Sequence, residues 1–184
     1  MSRLILLNGP PGVGKSTLAT RYAAEHPGTL RCDIDVLRTM IGGWEDDYAG
    51  AGGLIRPAAL GLITAYLRDS GDVVLPQLIA RTTELARFER AASDVGAGFV
   101  HVLLLADPET CHARFEARGT DEPHLHAAKQ AVDEGGGAGV VADYRQALVE
   151  LAAHRPGAAQ VDASGAADAT HAAVLAAIED LSPA

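Results

Sequence analysis

The chain has 184 residues and 48% apolar side chains, enough for the core of one compact domain, which excludes a disordered segment. Its formal charge of −9 excludes the broad basic face of a nucleic-acid binder, and no apolar run reaches the length of a bilayer span. Two cysteines, Cys32 and Cys111, suit a reduced cytoplasmic chain with both thiols in or near the core, and exclude a disulfide framework.

Residues 3–8 (RLILLN) are a short apolar run, the pattern of a strand covered on both faces. The run is too short for a signal peptide and leads into a glycine loop, so it reads as the first strand. Residues 15–25 are helical in character and stop before His26-Pro27-Gly28. Residues 29–32 read as a second strand, with Asp33 and Asp35 at its C-terminal end, and a short helix is expected over 36–41, ended by Gly42-Gly43. Residues 44–53 are acidic, contain glycine and lack periodicity, so a mobile loop is expected there.

Helical spacing returns over 54–69, with Pro57 tolerated in a first turn. A third strand begins at 73–75, and a helix over 82–95 opens on a Thr cap candidate. Residues 99–105 are the clearest strand, after which Asp107-Pro108-Glu109 starts a helix running to Arg118-Gly119. Residues 120–139 are polar and then glycine-rich; 140–153 are helical, 158–161 form a last strand, and 166–181 a closing helix. Five strands alternating with helices give an α/β domain with a parallel sheet, one domain over 1–184 without internal repeats.

Between the first strand and the first helix lies Gly9-Pro10-Pro11-Gly12-Val13-Gly14-Lys15-Ser16-Thr17. Strand, glycine loop and a helix opening on Lys-Ser is the context of a phosphate-binding loop. Gly9, Gly12 and Gly14 are expected to supply positive φ and close backbone approach. The free N–H groups and the helix N-terminus face the anion, Lys15 reaches the β- and γ-phosphates, and Ser16 ligates Mg²⁺. A guanine-specific Asn-Lys-x-Asp motif is absent, which points to ATP.

Asp33 and Asp35 fall on the sheet edge where open α/β sheets bind ligands, and on an extended backbone they face the same side. Two readings are open for Asp35: the N-cap of the helix after it, or the carboxylate that orients an attacking hydroxyl and takes its proton. Asp33 is expected to support Mg²⁺ or substrate. Arg38, three residues on, reads as a substrate anchor or as a solvated charge.

The phosphate loop followed by Asp33-x-Asp35-x-x-Arg38 resembles the small P-loop kinases and AAA-33-like ATPases, among them polynucleotide 5′-kinases, gluconate kinases and chloramphenicol phosphotransferase. The resemblance implies a three-layer, nucleoside-kinase-like P-loop NTPase fold with strand order 2-3-1-4-5. It also implies ATP and Mg²⁺ as cofactors and Asp35 as the acceptor-side base. In such relatives the third strand often ends in an Asp; here it runs into Pro76-Gln77, and Asp72 lies at its wrong end.

Arg114 and Arg118 are four apart on one helical face before the expected lid, residues 119–139. Closing over the phosphates they would stabilise charge in transfer; as a solvated face they would pair with Glu109 and Glu116. His124 and His126, with no other ligand at metal spacing, read as residues of a solvated lid, and Lys129 as an exposed cation or a phosphate contact. Acceptor contacts are expected from Arg38, Trp44, Arg56, Gln77 and Arg81, with Trp44 stacking on a flat substrate. The expected activity is transfer of the γ-phosphate of ATP to a small hydroxylated molecule, the alternative a nucleotide switch or resistance ATPase that phosphorylates no acceptor.

Overall fold

The computed structural model describes residues 1–119, 122–155 and 157–182. Strand β1 (Arg3–Asn8) is the centre of the sheet, and its Leu4, Ile5, Leu6 and Leu7 are wholly buried. It pairs in parallel with β3 (Val73–Gln77) on one side and β4 (Gly98–Leu105) on the other. The edge strands are β2 (Leu30–Arg31), beside β3, and β5 (Ala159–Asp162), beside β4. The order is β2-β3-β1-β4-β5, all parallel, as the resemblance implied.

Alternate residues of each strand feed two cores, because a parallel sheet is covered on both faces. Ile5, Leu7, Val100 and Val102 pack with Leu18 and Tyr22 of α1 (Lys15–Glu25) and Val174 and Ile178 of α8 (Ala167–Leu181). Leu4, Leu6 and Leu75 pack on the other face with Ile34 of α2 (Ile34–Arg38), Ile55 and Ile63 of α3 (Tyr48–Asp69), and Leu85 and Phe88 of α4 (Thr82–Ser93). Helices α5 (Pro108–Glu116), α6 (Pro123–Glu134) and α7 (Ala138–His154) complete the chain.

Four local expectations change. The second helix starts earlier than residue 36, because the Asp33 side chain accepts from the Asp35 amide and caps it. The expected loop over 44–53 is half helix: α3 begins at Tyr48, where Asp47 accepts from the Gly50 amide at 2.8 Å. Pro57 is therefore interior to α3, and the carbonyl of Gly53, four residues before it, meets no N–H from the ring. The expected lid carries α6 and the start of α7; its residues Thr120 and Asp121 lie outside the described residues.

The early start of α3 makes a helix of 22 residues containing an 18-residue stretch of mean hydropathy 1.2, long and apolar enough by those measures to cross a membrane. With the start expected at residue 54, the helical run is too short to span a bilayer. Ala51, Ile55, Ala59, Ile63 and Leu67 of this helix are buried in the protein core.

Candidate functional site

The loop from β1 to α1 is held from beneath by Asn8. Its side-chain amide donates to the Ile79 carbonyl at 2.8 Å, and its Oδ1 accepts from the amides of Ile79 and Gly9. His101 Nε2 lies 3.2 Å from Asn8 Nδ2, so the ring nitrogen facing the amide is the acceptor and the imidazole is neutral. Burial pushes His101 down to about 4, consistent with that neutral ring. The sequence reading did not single out either residue.

Each loop glycine answers a different demand. A Cβ on Gly9 would lie 2.7 Å from the Leu104 carbonyl oxygen, so closeness and not a positive φ requires glycine there. Gly12 has φ +78° and its Cβ would lie 1.9 Å from the Cys111 carbonyl oxygen of α5. Gly14, at φ +105°, faces open space and opens α1.

Helix α1 has no side-chain cap and no acidic residue in its first turn. Among the described residues, the amides of Gly12, Gly14, Lys15, Ser16 and Thr17 meet no protein acceptor. Lys15 donates to the carbonyls of Gly9 at 2.8 Å and Pro10 at 2.9 Å. Burial of its ammonium, opposed by Asp35 and Asp33 and helped by Arg118, lowers Lys15 to about 8. Unpartnered amides at a helix N-terminus beside a buried ammonium are a donor set for phosphate oxygens, so these residues fit a nucleotide polyphosphate.

A cleft of about 440 Å³ opens above the loop, lined there by Pro11, Gly12, Gly14, Lys15, Ser16 and Thr17. Gly9, Pro10 and Val13 are not part of its lining, and Val13 is core. Asp33 and Asp35 face the same cleft. Their placement differs from an extended pair: Asp33 is the cap of α2, and Asp35 sits in the first turn with its carboxylate free of capping. Burial first, and Asp35 second, raises the Asp33 carboxyl above the usual carboxylate range. Ser16 and Asp33 offer a hydroxyl and a carboxylate, hard oxygen ligands that fit Mg²⁺.

Arg38 is buried, which removes the reading of it as a solvated charge and leaves the substrate anchor. Its Nη2 lies 3.1 Å from Asp35 Oδ1, and its guanidinium sits 3.7 Å from the centre of the Tyr48 ring. A Cβ at Gly52 would lie 2.8 Å from that Nη2, which explains a glycine inside α3. Arg56 lines the cleft 3.7 Å from Glu84, and Gln77 lines it with Oε1 buried and without a partner. Gln77 is also the last residue of β3, so the strand places a carboxamide and no carboxylate at the cleft. Asp72 is at the opposite end, bonded to the Arg3 amide and guanidinium.

Two expected acceptor residues are elsewhere. Trp44 is 9% exposed and buried in the turn between α2 and α3, so it offers no face for stacking in the cleft. Arg81 is exposed and its carbonyl starts α4, outside the cleft lining. Arg114 reaches the cleft wall, but its guanidinium donates to the carbonyls of Ala163, Ser164 and Gly165, tying down the turn after β5. Arg118 lines the cleft, and its field is felt at Lys15.

His124, expected to be solvated, is 9% exposed and faces the cleft from the first turn of α6. His126 is exposed, and Lys129 pairs with Glu116 at 2.8 Å. Tyr48, Phe115 and Tyr144 add aromatic rings to the walls.

Residues 4–135 match the AAA domain family AAA_33. No curated protein matches the chain at a significant level. Among solved structures, the tunicamycin resistance protein of Deinococcus radiodurans is similar at a TM-score of 0.64 and 20% identity, over 100% of this chain and 98% of that one. A gluconokinase from Sinorhizobium meliloti 1021 is similar at a TM-score of 0.62 and 17% identity, over 98% of this chain and 93% of that one. At these identities the likeness is one of fold, and the fold is that of the kinase-like P-loop proteins.

Proposed function

The chain belongs to the AAA domain family, a P-loop nucleotide-binding family, and on that premise we propose that it is a single-domain cytoplasmic kinase moving the γ-phosphate of ATP to a hydroxyl of a small molecule. The observation that carries this reading is the acidic pair Asp33 and Asp35 in the same cleft as Lys15 and the loop amides. A nucleotide-binding loop needs no such pair to hold phosphate; a hydroxyl acceptor needs a carboxylate.

In this reading the loop amides and Lys15 hold the polyphosphate, while Ser16 and Asp33 hold Mg²⁺. The Mg²⁺–nucleotide supplies the phosphoryl group and neutralises its charge. Asp35, uncapped and beside Arg38, orients the acceptor hydroxyl and takes its proton. Arg38, Arg56 and Gln77 position the acceptor, and Arg118 lends positive charge at the loop. Helix α6 is the lid that keeps water out, since His124 and Leu125 already face the cleft.

Incubating a panel of metabolites and antibiotics with ATP, Mg²⁺ and the protein should yield one acceptor with a phosphoryl mass increment. Asp35→Asn should then lower kcat by about 10²–10⁴-fold with nucleotide affinity little changed. Full phosphotransfer by Asp35→Asn would sink the base assignment. A second reading, a nucleotide switch or resistance ATPase, is favoured by the carboxamide at the end of β3. Phosphate release with no modified acceptor would decide for it.

A further inference from the structure

Helix α5 carries His112 and Glu116 four residues apart, hence on one face, and this face meets Asp133 near the end of α6. One ligand atom from each residue lies within 4.8 Å of the other two. None of the three residues lines the nucleotide cleft.

Lone pairs outnumber donors here. Glu116 Oε2 accepts from the Lys129 ammonium at 2.8 Å, but Glu116 Oε1 is enclosed without a partner. Among the described residues no donor meets the Asp133 carboxylate, and no hydrogen bond engages the His112 ring. Gly137, at φ +60°, passes the imidazole where a Cβ would sit 3.6 Å from Nε2, so the α6–α7 turn also borders the ring.

We propose that His112, Glu116 and Asp133 bind one divalent transition-metal ion of the zinc class and that this ion staples α6 to α5. A point within about 2.8 Å of all three atoms exists, so side-chain shifts of roughly 0.7 Å bring them to the 2.0–2.2 Å of zinc–nitrogen and zinc–oxygen bonds. The imidazole selects against Mg²⁺ and Ca²⁺, which prefer oxygen alone. Three protein ligands leave a fourth position for water. The Lys129 ammonium competes for Glu116 and weakens the site.

The staple has a defined reach. Through Cys111, α5 lies against Gly12 of the phosphate loop, and α6 presents His124 and Leu125 to the cleft. Joining the two helices fixes the lid relative to the loop without touching the reaction.

The test is titration of the full chain, free of nucleotide and Mg²⁺, with Co²⁺, followed by its visible d–d absorption and by displacement with Zn²⁺. One ion should bind per chain. His112→Ala and Asp133→Asn should each weaken binding by about tenfold or more, and Lys129→Gln should strengthen it severalfold. His126→Ala, an exposed position on α6, should bind as the unaltered chain does. In hydrogen exchange, Zn²⁺ should protect the α6 amides of the unaltered chain and not those of His112→Ala. No saturation at one equivalent, or unchanged affinity in both His112→Ala and Asp133→Asn, would overturn the proposal. Asp133 is exposed, so its variant decides the matter should His112→Ala fail to fold. No nucleotide enters these measurements, so their failure leaves the kinase reading as it stands.

Discussion

At the phosphate end of the cleft, every ligand-facing group of the loop comes from residues 11–17 of one strand–loop–helix unit, whereas the opposite end is assembled from α2, α3, β3 and α6. The first end is local: its amides, its lysine and its helix N-terminus follow from a few consecutive backbone conformations. The second exists only once the sheet has brought Asp35, Tyr48, Arg56, Gln77 and His124 together. The phosphate-binding loop is thus a property of a short segment, and on the proposed kinase reading the choice of acceptor is a property of the whole fold.

The largest effect should come from the local end. Lys15→Ala should cut nucleotide-dependent turnover by about 10³-fold and weaken nucleotide binding measured by calorimetry, while Arg38→Ala should leave nucleotide affinity within about threefold. If both variants lost nucleotide affinity alike, the two ends would not be separable.

Within the loop, Gly12→Ala and Gly14→Ala make the same chemical change in different settings. Gly12→Ala should lower stability by about 3 kcal/mol or more, because a strained φ is joined by overlap with the Cys111 carbonyl. Gly14→Ala, strained by its φ of +105° but with open space around it, should cost less, about 1–2 kcal/mol, read as a smaller fall in Tm.

Beneath the loop, His101 should make the domain acid-sensitive. Its folded value of about 4 lies below the ordinary 6.5, so between those pH values the unfolded chain takes up a proton that the folded chain refuses. Stability should fall by up to about 3 kcal/mol as pH drops from 6.5 to 4, and urea unfolding of His101→Gln should lack that fall. The smallest effect concerns Lys15 itself. With its ammonium titrating at about 8, nucleotide affinity should drop as pH rises, about fourfold from pH 7 to 8.5, and a Lys15→Arg chain should lose that dependence.

How legible each end was in the sequence follows from the same contrast. The strand order and the loop were readable because apolar runs and glycine spacing are local patterns. The start of α3 was not: Gly50, Gly52 and Gly53 look like breakers, yet Asp47 caps the helix and Gly52 is glycine to admit the Arg38 guanidinium. Trp44 looked like a stacking residue because its neighbours are polar, and it turned inward because the turn after α2 packs it there. Arg114 and Arg118 share a helical face in sequence, but only the fold brings the carbonyls after β5 within reach of Arg114. His124 carried no local sign of burial, since α6 alone decides which way it faces.

The contact between Gly12 and the Cys111 carbonyl has one more consequence. With no space for even a methyl group between them, the phosphate loop and α5 are in direct backbone contact. If a ligand that settles the loop biases α5 through this contact, an ion that grips α5 alters the loop's affinity by the same factor in return. Reciprocity of that kind can be measured from either side: the shift in metal affinity caused by nucleotide must equal the shift in nucleotide affinity caused by metal.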